Sequence, residues 1–74
     1  MEYEHLSKYR LLGLNIAYYR KRKGVSQIRL AEMIGISRTH MSRIETAECA
    51  VSLDVVFSIC DALSITPDVL FSFR

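Results

Sequence analysis

Arg29, Arg38, Thr39 and Arg43 are the residues of this chain whose types and spacing most suggest chemistry. An arginine fork hydrogen-bonds in parallel to two acceptors, on a phosphate or on the O6 and N7 edge of guanine, and threonine offers a hydroxyl and a methyl to a base edge. Arg38, Thr39, Ser42 and Arg43 stand at i, i+1, i+4 and i+5, so in a helix they share a face turned away from Met41 and Ile44. Arg29 and Arg38 also fall in the first turns of helices. A cation there opposes the helix dipole by a few tenths to about 1 kcal/mol, and a bound anion reverses the sign, which points to phosphate as a partner. Catalysis has little behind it. The chain has no Gly-rich phosphate loop and no readable carboxylate pair, Cys–His or Ser–His constellation. Cys49 and Cys60 form no C-x-x-C pair and are too few for a disulfide scaffold. No enzyme activity, metal, cofactor or small-molecule substrate is expected.

The elements that must position these groups are helical. Gly and Pro number three and one, and alternating β-branched runs bounded by turn pairs are missing, so the fold class is all-α. Ser26, Ser37, Ser52 and Thr66 each precede helical spacing of apolar residues, and their side-chain oxygens suit the N-cap. Gly24 and Gly35 fall where two helices should end in the left-handed conformation. The first helix is expected from a start between residues 2 and 7 to residue 23, with Tyr9, Leu12, Ile16 and Tyr19 as its core stripe. The second spans about 27–34 with Leu30, Ala31 and Ile34 inward, the third 38–45, the fourth 53–63, and a fifth follows Thr66-Pro67-Asp68. The second and third, joined by Gly35-Ile36-Ser37, read as a helix-turn-helix.

Seventy-four residues, half of them apolar, make one domain over 1–74. The longest stretch without Asp, Glu, Lys or Arg is 11–19, far short of the roughly 20 residues that span a bilayer. The polar, acidic start predicts no signal peptide and a cytoplasmic location. The net charge of +2 conceals a division. Residues 1–43 carry Lys8, Arg10, Arg20, Lys21, Arg22, Lys23, Arg29, Arg38 and Arg43 against Glu2, Glu4 and Glu32, a net of +6. Residues 44–74 carry only Arg74 against Glu45, Glu48, Asp54, Asp61 and Asp68, a net of −4. A basic portion bearing the two-helix unit suits a polyanion. Arg22 and Lys23, in the basic end of the first helix, read either as solvated cations or as phosphate contacts.

In the fourth helix Asp54, Ser58 and Asp61 form one narrow polar line, and apolar residues cover nearly everything else. A helix so apolar needs a second surface to bury against. Val55, Phe57, Ile59, Phe71 and Phe73 are the expected interface of a two-fold homodimer, with refolding of the tail onto its own subunit as the alternative.

The run from Val25 to Ser37, reading V-S-Q-I-R-L-A-E-M-I-G-I-S, then Met41-Ser42-Arg43-Ile44-Glu45, resembles the XRE family of phage-repressor and Cro-type helix-turn-helix domains. The resemblance covers about residues 12–71 and extends to short stand-alone members such as restriction–modification controller proteins. It implies a compact five-helix, lambda-repressor-like bundle that binds double-stranded DNA and regulates transcription; with the homodimer expected from the fourth helix and tail, the site would be a palindromic operator. It implies that the third helix enters the major groove with Arg38, Thr39 and Arg43 toward the bases, and that Gln27 reaches the DNA backbone, where Arg29, Ser42, Arg22 and Lys23 are further candidates. It also implies a structural ion pair between Arg20 and Glu45. The chain departs from the family in having Arg29 where Glu is usual. Ala47 and Val51 replace the usual Gly and Pro of the loop after the third helix, and Glu48 replaces basic character there. A less constrained loop over 46–51 is therefore expected. The competing reading is a protein-interaction module of the same fold, antitoxin-like or scaffolding, that does not rely on DNA.

Overall fold

Three serines set three helix starts. Ser26, Ser37 and Ser52 hold extended backbone, and each hydroxyl oxygen accepts from the N–H three residues on, at Arg29 (3.0 Å), His40 (3.0 Å) and Val55 (3.2 Å). In this computed structural model, which describes residues 3–73, they open α2 (Gln27–Ile34), α3 (Arg38–Glu45) and α4 (Leu53–Leu63). A 3₁₀ turn, Tyr3–His5, leads into α1 (Leu6–Arg22), and α5 is the single turn Pro67–Leu70. Glu2, the earliest start considered for the first helix, lies outside the described residues. The architecture is five α-helices, with no strand among the described residues.

Thr66 departs from the serine pattern. Its side chain makes no capping bond, and the Val69 N–H meets the Thr66 carbonyl at 3.3 Å. Helix ends are closed by left-handed residues. Gly24 and Gly35 take positive φ as glycine allows, but Ala47 (φ 59°) and Ser64 (φ 55°) do so with a Cβ. Ala47 is the point at which the loop after α3 proves more constrained than expected. It turns the chain so that the Glu48 N–H returns to the Arg43 carbonyl at 2.8 Å, and its methyl is buried.

One core cluster unites all five helices: Leu12 and Ile16 of α1, Leu30 and Ala31 of α2, Met41 and Ile44 of α3, Val56, Ile59, Cys60 and Leu63 of α4, and Leu70 of α5. Tyr9 and Tyr19 of the expected stripe are half-buried. The α2 helix packs on α3 and α4, whereas α1 packs on α3, α4 and α5. Asn15 Nδ2 donates to the Leu70 carbonyl at 2.9 Å, tying the end of α5 to α1. Burial, aided by the charges of Asp61 and Asp68, pushes the Cys60 thiol up, so it behaves as a small apolar core residue.

The α1–α3 crossing depends on a glycine inside a helix, where glycine is normally unfavourable by about 1 kcal/mol. A Cβ at Gly13 would meet the backbone of α3 at Glu45 C and Ile44 O, each 2.8 Å away, and at Glu45 O. Backbone cannot swing aside as a side chain can. Gly13→Ala is therefore expected to destabilise the domain by about 1–3 kcal/mol despite its better helix propensity, lowering Tm by about 5–20 °C in thermal denaturation. An unchanged or raised Tm would contradict the close approach.

Candidate nucleic-acid interface

The site is built where α1, α2 and α3 meet. Arg20, from the last turn of α1, and Glu45, at the end of α3, are only 8% and 9% exposed. Arg20 Nε donates to Glu45 Oε2 at 2.7 Å and Nη2 to Oε1 at 3.1 Å, while Nη1 donates to the Val25 carbonyl at 2.9 Å. Gln27 Nε2 donates to the same Glu45 Oε1 at 3.0 Å. Both carboxylate oxygens are thus engaged, and the Gln27 amide at the start of α2 is oriented with one of its two hydrogens still free.

With its inner face so fixed, α3 turns Arg38, Thr39 and Arg43 outward, all exposed, with Ser42 half-buried between them. These four and Glu48 line one groove of about 310 Å³. Among the described residues the carboxylate ion pairs are Arg20–Glu45 and an exposed His5–Glu4 contact at 3.9 Å, so Arg38 and Arg43 stand unpaired. Such a face can donate charge-assisted hydrogen bonds to phosphate or to base edges.

Other candidates are not brought to it. Arg22 lies about 200° around α1 from Arg20, so it points away from the side that meets α3. Its Nη1 donates to the Tyr18 hydroxyl at 2.9 Å and its guanidinium lies 5.6 Å from that ring's centroid. That hydrogen bond, with the Tyr18 charge next, raises the Arg22 pKa further above its ordinary value. Arg29 lines a groove between α2 and α4 with Met33, Ser58 and Asp61, so the acid of α4 is an alternative to phosphate as its counter-charge. Lys23, exposed, is the residue that closes α1 just past Arg22.

The expected association surface also changes. Ile59 is 0% exposed, two residues and about 200° from Phe57, and belongs wholly to the subunit's own core; it is withdrawn from any interface. Val55 is half-buried against that core. Phe57 is 46% and Leu53 62% exposed, and Leu53 lines an apolar groove with Phe71 and Phe73. The wheel of α4 alone could not rank Leu53 above Ile59, because the packing partners decide which apolar side turns inward.

No three His, Cys, Asp or Glu side chains gather as a metal site among the described residues, and no helix there is long and apolar enough to cross a membrane.

Comparisons with known proteins bear on this arrangement. A family described as Helix-turn-helix, HTH_3, matches residues 16–70. The restriction-modification controller protein C.AhdI from Aeromonas hydrophila is structurally similar, with a TM-score of 0.84, 31% identity, and coverage of 88% of this chain and 98% of that one. The clp gene regulator ClgR from Corynebacterium glutamicum is similar at a TM-score of 0.80 and 33% identity, covering 84% of this chain and 67% of that one. The antitoxin PezA of Streptococcus pneumoniae is 32% identical over 56 residues, which are 76% of this chain and 35% of that protein, so the match spans about a third of that relative's length.

Removing one partner of the buried pair leaves a desolvated charge without compensation. Glu45→Ala is expected to cost about 3–5 kcal/mol in urea denaturation. Removing both in Arg20→Ala/Glu45→Ala should cost less than the two single losses together. Additive losses would mean that the two side chains do not depend on each other.

Proposed function

We propose that the chain, which belongs to the helix-turn-helix family HTH_3, is a DNA-binding transcriptional regulator that lays α3 in the major groove and binds a two-fold operator as a homodimer. The observation that carries the DNA reading is the outward α3 face, with Arg38, Thr39 and Arg43 exposed together and neither arginine paired to a carboxylate. The named roles of the controller protein and the gene regulator that this chain resembles support it. Arg38 and Arg43 are the guanine readers, by the bidentate fork to O6 and N7, and Thr39 contacts a neighbouring base. Gln27, held by Glu45, together with Lys23 and Ser42, serves the sugar-phosphate backbone and sets register. A cytoplasmic site of action goes with that partner.

Binding to duplex sites selected from random sequence should weaken as salt rises, log K falling by about 0.9 per log unit of salt for each phosphate neutralised. Arg43→Ala should flatten base preference at one position by about 1–3 kcal/mol with the fold intact. A salt slope near zero, or unchanged preference in the variant, would remove the proposed mode.

The dimer reading rests on Leu53, Phe57, Phe71 and Phe73, exposed apolar side chains from α4 and the tail. Pairing two copies through this surface is proposed to set two α3 helices about 34 Å apart, one turn of the duplex. Sedimentation at high micromolar concentration should show dimers that Phe57→Asp converts to monomers. Wild-type species of only 8.5 kDa would refute the pairing.

A further inference from the structure

Glu48 is the member of the α3 groove that the roles above leave unused. It is exposed, and its backbone is held beside the groove. The left-handed Ala47 and the 2.8 Å bond from the Glu48 N–H to the Arg43 carbonyl fix its backbone against the end of α3. Its Oε2 lies 2.7 Å from Thr46 Oγ1, whose single proton is shared with the Ser42 carbonyl at 2.9 Å. The Glu48 side chain lines the groove together with Arg38, Thr39, Ser42 and Arg43, with the Thr46 hydroxyl as its hydrogen-bond donor and no ion pair to either arginine. The placement is unfavourable for folding, because an acid at a helix C-terminus sits on the negative end of the dipole. It is also unfavourable for undiscriminating DNA binding, since any phosphate entering the groove meets a like charge.

These two disadvantages have one use. We propose that Glu48 is a specificity-determining residue. It disfavours docking that puts sugar-phosphate backbone in the α3 groove, and favours docking that puts there a base edge with an exocyclic amine, cytosine N4 or adenine N6, from which the carboxylate accepts. This rests on the DNA reading of the same face. A carboxylate is the acceptor suited to those amines, and repulsion of the wrong ligand raises a specificity ratio as effectively as attraction of the right one. The two arginines supply affinity for every duplex; Glu48 removes part of it wherever the contact is phosphate alone.

The test compares wild type with Glu48→Gln and Glu48→Ala on the selected site and on a random-sequence duplex of equal length, across a salt series. Gln keeps an acceptor for the Thr46 hydroxyl and Ala does not, so similar effects in both identify the charge and not the loop anchor. Both variants should bind the random duplex about three- to tenfold more tightly. The selected site should gain little or nothing, so the ratio of specific to random affinity falls by about three- to tenfold. Repeated site selection with Glu48→Ala, which has no acceptor for an exocyclic amine, should lose its preference at one amine-bearing position. A ratio unchanged in both variants, or changed only by Ala, overturns the proposal while leaving DNA binding in place. Absence of salt-dependent binding by wild type and variants alike overturns the DNA reading, and this proposal with it.

Discussion

The orientation of α3 depends on the buried contact between Arg20 and Glu45. An ion pair removed from water gains little unless every remaining donor and acceptor is satisfied. Here each guanidinium nitrogen of Arg20 and each carboxylate oxygen of Glu45 has a partner: Arg20 reaches Glu45 and the Val25 carbonyl, and Glu45 also accepts from Gln27. No buried side-chain nitrogen or oxygen is left without a partner among the described residues. The geometry of such a network is narrow, which is its value. An apolar contact tolerates sliding, whereas a fork-to-carboxylate bond with a third donor permits one register of α1, α2 and α3. Gly13 sets the separation that the pair requires, letting the backbones of α1 and α3 approach where any side chain would hold them apart. The outer face of α3 is thereby relieved of any part in folding.

That division explains where the charges stand. The arginines of α3 have no carboxylate partner within the described subunit, and Asp61 of α4 shares a separate groove with Arg29 of α2. A net charge of +2 is thus the sum of a cationic portion around the helix-turn-helix and an anionic portion beyond it. The field across the molecule orients it toward a polyanion before contact, even though its total charge is small. Glu48 breaks the pattern, as the acidic side chain lining the cationic groove, and its backbone is fixed there. A charge misplaced for both stability and general attraction is most economically read as a selector.

Much of this was legible in the chain because it rests on local chemistry. Serine oxygens three residues before their donors, glycines at left-handed helix ends, and apolar residues at helical spacing specify elements over a few residues, and α3 and α4 span the residues expected of them. What escaped depends on distant partners. The need for Gly13 arises from the α3 backbone, more than thirty residues away in the sequence, and nothing near Gly13 signals it. Ile59 and Leu53 are equally apolar on the wheel of α4, and only the positions of the other helices bury one and expose the other. Arg22 and Arg29 are basic near the two-helix unit, yet helical phase turns them to other sides. Ala47 takes a conformation that its type disfavours because burial of its methyl and the bond at Glu48 hold it there.

The short path from Glu45 to Leu53 has a mechanical consequence. The chain leaves α3 through the left-handed Ala47, keeps Glu48 bonded to Arg43, and re-enters a helix at the Ser52 cap. Little slack is left between the groove face and the start of the exposed apolar patch at Leu53 and Phe57. In the proposed dimer, pairing at that patch would therefore fix the relation between two α3 helices with no intervening hinge, and the spacing of half-sites would be a property of the folded subunit. A regulator built this way needs no separate domain to measure its operator. Subunit concentration would then govern occupancy, because the second groove contact becomes intramolecular once the pair has formed.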